Sequence, residues 1–193
     1  MIVSSNRLHL IEFSEKLIDN KVMSWFDNPN LMQYYTNSKR KITKQDLIKS
    51  ITEGKNKKNS YSYFIVHNDS NTIIGTIKVG PINKAHKISD LVALIGERGN
   101  FGKGIGTEAI ELGIKLAFEI LDIRKLFGGM YASNIASIKA YTRAGWVVEG
   151  VLKGHYLNEG KSEDRILVGC FNPKYFNQEY IEEAKYLKWY DEK

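Results

Sequence analysis

One crossover set among hairpins most limits what this chain can fold into. "ISDLVALIG" (residues 88–96) is a β-branched, apolar run that reads as a strand. "NFGKGIGTEAI" begins at Asn100, puts glycine on alternate positions at Gly102, Gly104 and Gly106, and runs straight into residues that favour a helix. Ile110, Ile114, Ala117, Phe118 and Leu121 then recur at helical spacing, with Glu108, Glu111, Lys115 and Glu119 on the opposite side. "KLFGGMYAS" (125–133) is the second strand. A strand–helix–strand unit of this kind brings its two strands together in parallel.

The flanks read as antiparallel. "RLHLIEF" (7–13) alternates as a first strand, and helical segments are expected over residues 15–26 and 43–53, the second capped by Thr43 with Asp46 three residues on. "YSYFIVH" (61–67) and "TIIGTIKVG" (72–80), joined by "NDSN", form a hairpin signal. After the crossover, "NIASIKAYTRAG" is a short helix stopped by Gly145, and "WVVEGVLKGHY" and "DRILVGCF" are two strands joined through "LNEGKSE". The expected architecture is a mixed α/β sheet of seven strands, mostly antiparallel, with one parallel pair between the fourth and fifth strands and helices on both faces. Residues 1–171 form one domain. Residues 172–193 are expected to add one amphipathic helix, from Ile181, Ala184 and Leu187 at helical spacing, that covers the sheet edge or builds a homodimer.

Composition removes several classes. A hydrophobic share of 42% with 26% charged residues is globular. No stretch reaches the roughly 18 apolar residues of a membrane span, and "MIVSSNRLHLIEF" lacks the basic start and apolar core of a signal peptide. Cys170 is the only cysteine, so a reducing, cytoplasmic setting is expected. His9, His67, His86 and His155 show no ligand spacing, so no metal site is expected. Part of the net charge of +6 lies between Asn37 and Asn59. Aromatics are not interleaved there, so the segment reads as a solvated helical face, and neither nucleic acid nor membrane is an expected partner.

The glycine stretch admits several readings. A phosphate-binding P-loop fails twice, because Glu97 stands five residues before Gly102-Lys103 and Gly104 occupies the Ser/Thr position. A dinucleotide fingerprint matches Gly104-x-Gly106-x-x-Ala109, but the next strand ends "GGMYASN" without the acidic residue a ribose requires. A third reading is a pyrophosphate held on backbone N–H groups at a helix start, with Lys103 adding a point charge. The plain alternative is a tight turn that happens to be glycine-rich.

"GKGIGTEAI" followed by "NIASIKAYTRAGW" resembles the GNAT superfamily of acetyl-CoA-dependent N-acetyltransferases, over roughly residues 7–171. "IGERGNFGKGIGTEAI" and "YASNIASIKAYTRAGW" more narrowly resemble the branch of ribosomal-protein N-terminal acetyltransferases. The resemblance implies that the family's loop falls on Phe101, Gly102, Lys103, Gly104, Ile105 and Gly106, so that amides here and at Thr107 bind the CoA pyrophosphate. Phe101 departs from the family's Gln or Arg, which leaves backbone binding intact. It also implies that the parallel strands splay to admit the acetyl-pantetheine arm against the backbone of "DLVALIG", including Leu94 and Ile95. In the family's Asn-x-x-Ser-x-x-x-Tyr pattern, here Asn134, Ser137 and Tyr141, the tyrosine stands near the CoA sulfur.

Acetyl transfer needs a neutral amine, a polarised carbonyl and a protonated leaving thiolate. Tyr141 is the expected acid, since a phenol stays protonated at neutral pH. Asp90 matches a position where this branch often has Glu, so the resemblance implies that it deprotonates the ammonium through water or only helps to bind it, and it is the expected base. Cys170, in an apolar strand, reads as core. The acceptor is expected where the last two strands meet the first two helices, and a peptide N-terminus, a small amine and a nucleotide-linked amino sugar all stay open. Outside this class stand a non-catalytic CoA-binding module and a dinucleotide oxidoreductase.

Overall fold

Strand β1 (Leu8–Glu12) alternates, with Leu8 and Leu10 fully buried on one face. Strands β2 (Tyr61–His67) and β3 (Thr72–Asn83) make the expected hairpin, and β4 (Ile88–Ile95) adds to β3 in the antiparallel sense. With β5 (Lys125–Tyr131), β6 (Val147–Asn158) and β7 (Lys161–Phe171) they form one sheet in the order β1-β2-β3-β4-β5-β7-β6. This computed structural model describes residues 3–35 and 41–191.

The crossover gives the parallel pair, and that pair is short. Its ladder holds only Ile88 opposite Lys125, Ser89 opposite Leu126 and Asp90 opposite Phe127. Beyond Asp90, β4 follows β3 and β5 follows β7, so the two central strands diverge around a V-shaped gap. Neither strand can close the gap without giving up its other ladder.

Helices cover both faces. Asp19 caps α1 (Asn20–Asp27) by accepting from Val22 N. The helix expected over 15–26 is therefore broken into a 3₁₀ turn at Glu15–Leu17 and α1, because Asp19 is extended and starts the helix afresh. A further single turn, α2 (Pro29–Met32), follows. In α3 (Lys44–Asn56), Thr43 and Asp46 form the anticipated capping box. Ile18, Val22 and Trp25 pack with Phe64 and Leu94 on this face. The other face buries the main core, including Ile77, Val79 and Leu91 of the sheet, Ile110 of α4 (Ile105–Lys115) and Ile138 of α5 (Ile135–Arg143). A π turn at Leu116–Ile120 extends α4 and buries Leu116 completely.

The tail is not one helix. It forms α6 (Gln178–Glu183) and α7 (Leu187–Asp191). Between them Tyr186 N donates to Val148 O at 2.7 Å, and Val148 N donates to Tyr190 Oη at 2.8 Å. Val148 lies on β6, the sheet's edge strand, so the break lets the tail seal part of an edge. Residues 192 and 193, and residues 37–40 at the start of the basic stretch, lie outside the described residues. From Lys41 onward that stretch is largely α3, with pairs such as Lys49–Glu53 and Lys55–Glu12 at the surface. No helix among the described residues is long and apolar enough to cross a membrane.

Candidate active site

The glycine turn ends in a left-handed cap. Gly102 and Gly104 have φ of 72° and 75°, the region that favours glycine, and α4 starts at the next residue. The backbone amides of Gly102 through Thr107 have no hydrogen-bond partner among the described residues. The first turn of a helix cannot satisfy its own N–H groups, and its dipole adds positive potential there. A Cβ at Gly102 or Gly106 would meet nothing within 4 Å, and one at Gly104 only Arg7 Nη2 at 3.6 Å, so the turn faces open space. The Ile105 side chain is core, whereas Phe101 is 49% exposed. Unpaired amides on an open, positive turn fit the pyrophosphate of acetyl-CoA.

Sequence reasoning missed what holds this turn. Arg7, just before β1, donates from Nη1 to Lys103 O at 2.9 Å and from Nε to Glu108 Oε2 at 2.6 Å. Burial pushes the Glu108 carboxyl up, but hydrogen bonds from Ser5 and Arg7 outweigh it and hold the carboxyl below its usual value. Glu108 therefore remains charged and clamps Arg7. Arg7, Gly104, Thr107 and Arg143 line a groove of about 700 Å³. No local pattern in the sequence marks Arg7 or Arg143.

In the gap, Tyr141 is the central residue. Gly96 N donates to Ile74 O at 2.9 Å, so by antiparallel alternation Val92 and Leu94 turn their backbone to β3, and Leu91, Ala93 and Ile95 turn theirs to the gap. Tyr141 Oη donates to Leu91 O at 2.9 Å and accepts from Ala93 N at 3.3 Å. Of the two residues expected to line the arm, Ile95 faces the gap. Leu94 differs: its backbone belongs to the β3 ladder and its side chain is core. Trp146 packs edge-on against the Tyr141 ring, with centroids 4.9 Å apart. Burial first, then the charge of Asp90, raises the Tyr141 phenol far above its usual value, so it keeps its proton at neutral pH.

Asp90 sits where the ladder ends. A Cβ on Gly128 of β5 would come within 3.7 Å of its Oδ1, so the carboxyl lies close across the apex of the gap. Burial raises its pKa, and the Leu91 N–H, Lys78 and Arg165 oppose that rise. Tyr35, which sequence reasoning did not single out, joins this pair. Burial and then the charge of Asp90 raise its phenol well above the usual value. Its neighbour Tyr34 tilts against Tyr131, with ring centroids 5.6 Å apart, and its hydroxyl lies 3.4 Å from Ser133 O. Tyr131 stacks on Tyr156 at 3.9 Å. The turn after α2 thus reaches across to the far side of the gap.

Of the remaining expected residues, Asn134 and Ser137 lie at the start of α5. Asn134 accepts from Ser137 N at 3.3 Å and caps α5, so its carbonyl oxygen is already used. Cys170 is buried and its thiol is pushed up to about 12, which suits core rather than a nucleophile. Among the described residues no group of three or more His, Cys, Asp or Glu side chains could hold a metal ion.

The acetyltransferase (GNAT) domain family matches residues 7–147. The probable N-acetyltransferase YjcK of Bacillus subtilis (strain 168) is 26% identical over 117 residues, 61% of this chain and 65% of that protein's length. The Vibrio cholerae spermidine N-acetyltransferase, solved in complex with CoA and spermine, superposes with a TM-score of 0.76 at 19% identity, over 89% of this chain and 99% of that one. The ribosomal-protein-S5-alanine acetyltransferase of Vibrio fischeri superposes with a TM-score of 0.73 at 18% identity, over 91% and 98%. With a matched family domain that contains both the glycine turn and Tyr141, the chain belongs to the GNAT acetyltransferase family.

Proposed function

We propose that the chain transfers the acetyl group of acetyl-CoA directly to a primary amine, with residues 1–171 as the transferase domain and 172–193 as a structural extension. The observation that carries this reading is the convergence of Tyr141 and Asp90 on one gap beside the open glycine turn. Amides of Gly102, Gly104, Gly106 and Thr107 would hold the pyrophosphate, with Lys103, Arg7 and Arg143 adding charge. Bound there, acetyl-CoA supplies an activated thioester. Asp90, with its raised pKa, takes a proton from the acceptor ammonium. Tyr141 Oη holds the proton that a departing thiolate needs. The Ala93 N–H, the gap-facing donor now bonded to Tyr141, is placed to polarise a carbonyl. A CoA-binding module without activity would have no use for two proton-carrying groups at the same apex.

A small amine is the acceptor class we favour, supported by similarity to a spermidine N-acetyltransferase. A protein N-terminus is the second reading, supported by similarity to the ribosomal-protein-S5-alanine acetyltransferase and by the motifs shared with that branch. The test is CoA release from acetyl-CoA, read by thiol colour, with peptide N-termini, polyamines, aminoglycosides and nucleotide-linked amino sugars. Turnover with one class is the expected result. Absence of both turnover and CoA binding would refute the reading.

A further inference from the structure

The acceptor side of the gap contains a cation that the transfer chemistry does not use. Residues paired across strands share a face, which puts Arg165 of β7 beside Tyr131, with Gly129 and Phe127 two and four residues back along β5 on that same face. Phe127 pairs with Asp90. Arg165 and Asp90 therefore stand on one face, on either side of the gap.

Arg165 does not lie along its own strand. A Cβ added to Gly129 would collide with Arg165 Nε, so the guanidinium crosses β5 over the glycine on this face. Its Nε is buried and has no hydrogen-bond partner. Among the described residues no carboxylate lies within ion-pair distance of it. What it does touch carries no carboxylate: His155 Nε2 at 3.3 Å from Nη1, and the Tyr156 ring with its centroid 5.8 Å away. A buried, unpaired N–H costs free energy unless a ligand takes it, and a guanidinium fork matches the geometry of carboxylate and phosphate oxygens. Lys78 adds a second cation to this face, because its neighbours Ile77 and Val79 are buried in the opposite core. Glu163, two residues from Arg165 on β7, is already held by Ser133 N and Asn158 Nδ2. Asp90 flanked by two cations suits an amine that also carries negative charge, and it disfavours a polycation.

We propose that the acceptor amine bears an anionic group, a carboxylate or a phosphate, and that Arg165 binds that group while Asp90 faces the amine. The assignment rests on the amine-transfer reading and narrows its substrate class. It is tested by calorimetric titration of the CoA-saturated protein with glucosamine against glucosamine 6-phosphate, glycinamide against glycine, and spermidine.

The anionic member of at least one pair should bind about tenfold or more tighter than its neutral partner, as expected for a charge-assisted hydrogen bond. The pair with the larger preference identifies phosphate or carboxylate as the source. Arg165→Gln should abolish the preference. Gly129→Ala should do the same by displacing the guanidinium without removing its charge, and Arg165→Lys should restore only part. Equal affinities within both pairs, tighter binding of spermidine, no binding of any probe, or a preference that survives Arg165→Gln would each overturn the proposal. CoA release on the same panel reads the transferase assignment separately. Preference without turnover keeps Arg165 as an anion-binding residue while counting against the transferase, and turnover without preference overturns the Arg165 assignment alone.

Discussion

Replacing Tyr141 by Phe removes one oxygen and separates two roles. The ring, only 7% exposed, keeps its place against Trp146. Without the hydroxyl, Leu91 C=O loses a 2.9 Å bond and Ala93 N–H a 3.3 Å bond. A buried polar group left unpaired costs about 1–3 kcal/mol. Because the second bond is long, about 2 kcal/mol is the expected loss for the pair, or a fall in Tm of roughly 4–8 °C for a domain of this size. Ligand affinity should move the other way. The gap-facing groups that Tyr141 occupies are those a pantetheine arm would pair with, so the hydroxyl competes with entry. Tyr141→Phe should bind CoA as tightly as the parent or up to about tenfold tighter, and the Tm deficit should shrink when CoA is added. Turnover should drop by roughly 10²–10⁴. Thermal melts with and without CoA, titration calorimetry and CoA release measure the three effects. A variant with parental turnover would remove Tyr141 from the acid role, and an unchanged Tm would refute the bridge from Tyr141 to Leu91 and Ala93.

Gly104→Val should abolish CoA binding while the fold persists, since the side chain enters the turn's open face and carries a strain of about 1–2 kcal/mol at positive φ; normal affinity by calorimetry would refute the loop assignment. Asp90 has a folded pKa above its unfolded value, so protonation favours the fold at low pH and that contribution is lost as pH rises through the raised pKa. Asp90→Asn should therefore raise Tm at neutral pH, show no such gain below the ordinary carboxylate range, and reduce turnover; an equal Tm difference at every pH would count against the buried charge. Tyr190→Phe leaves the Val148 N–H on the edge strand without its acceptor and should cost about 1 kcal/mol, or some 2–4 °C by thermal melt, with turnover unchanged.

Much of the fold was legible because its signals are local. Alternation marked β1, the capping box of Thr43 and Asp46 marked α3, and three alternate glycines marked the turn before α4. Local signals also misled where a single residue outweighed periodicity. Asp19 restarted a helix expected to run through residues 15–26, and Tyr186 exchanged helical continuity for a bond to the sheet edge. The candidate site was legible in part. Tyr141 and Asp90 stood out by type and motif, whereas Tyr35, Arg7 and Arg165 have no spacing that sets them apart from ordinary tyrosines and arginines.

By itself the sequence determined that one crossover lies among hairpins, and so that a single parallel pair sits in the sheet with a glycine-capped helix start beside it. These follow from chain connectivity, strand handedness and backbone freedom, which act between neighbours in the chain. Only the tertiary structure decided that the parallel ladder stops at Asp90, that Tyr141 bridges Leu91 and Ala93 in the gap, and that Gly129 lets Arg165 lie across β5. Each of these depends on the register between segments tens of residues apart, and competition between two ladders for one strand sets that register.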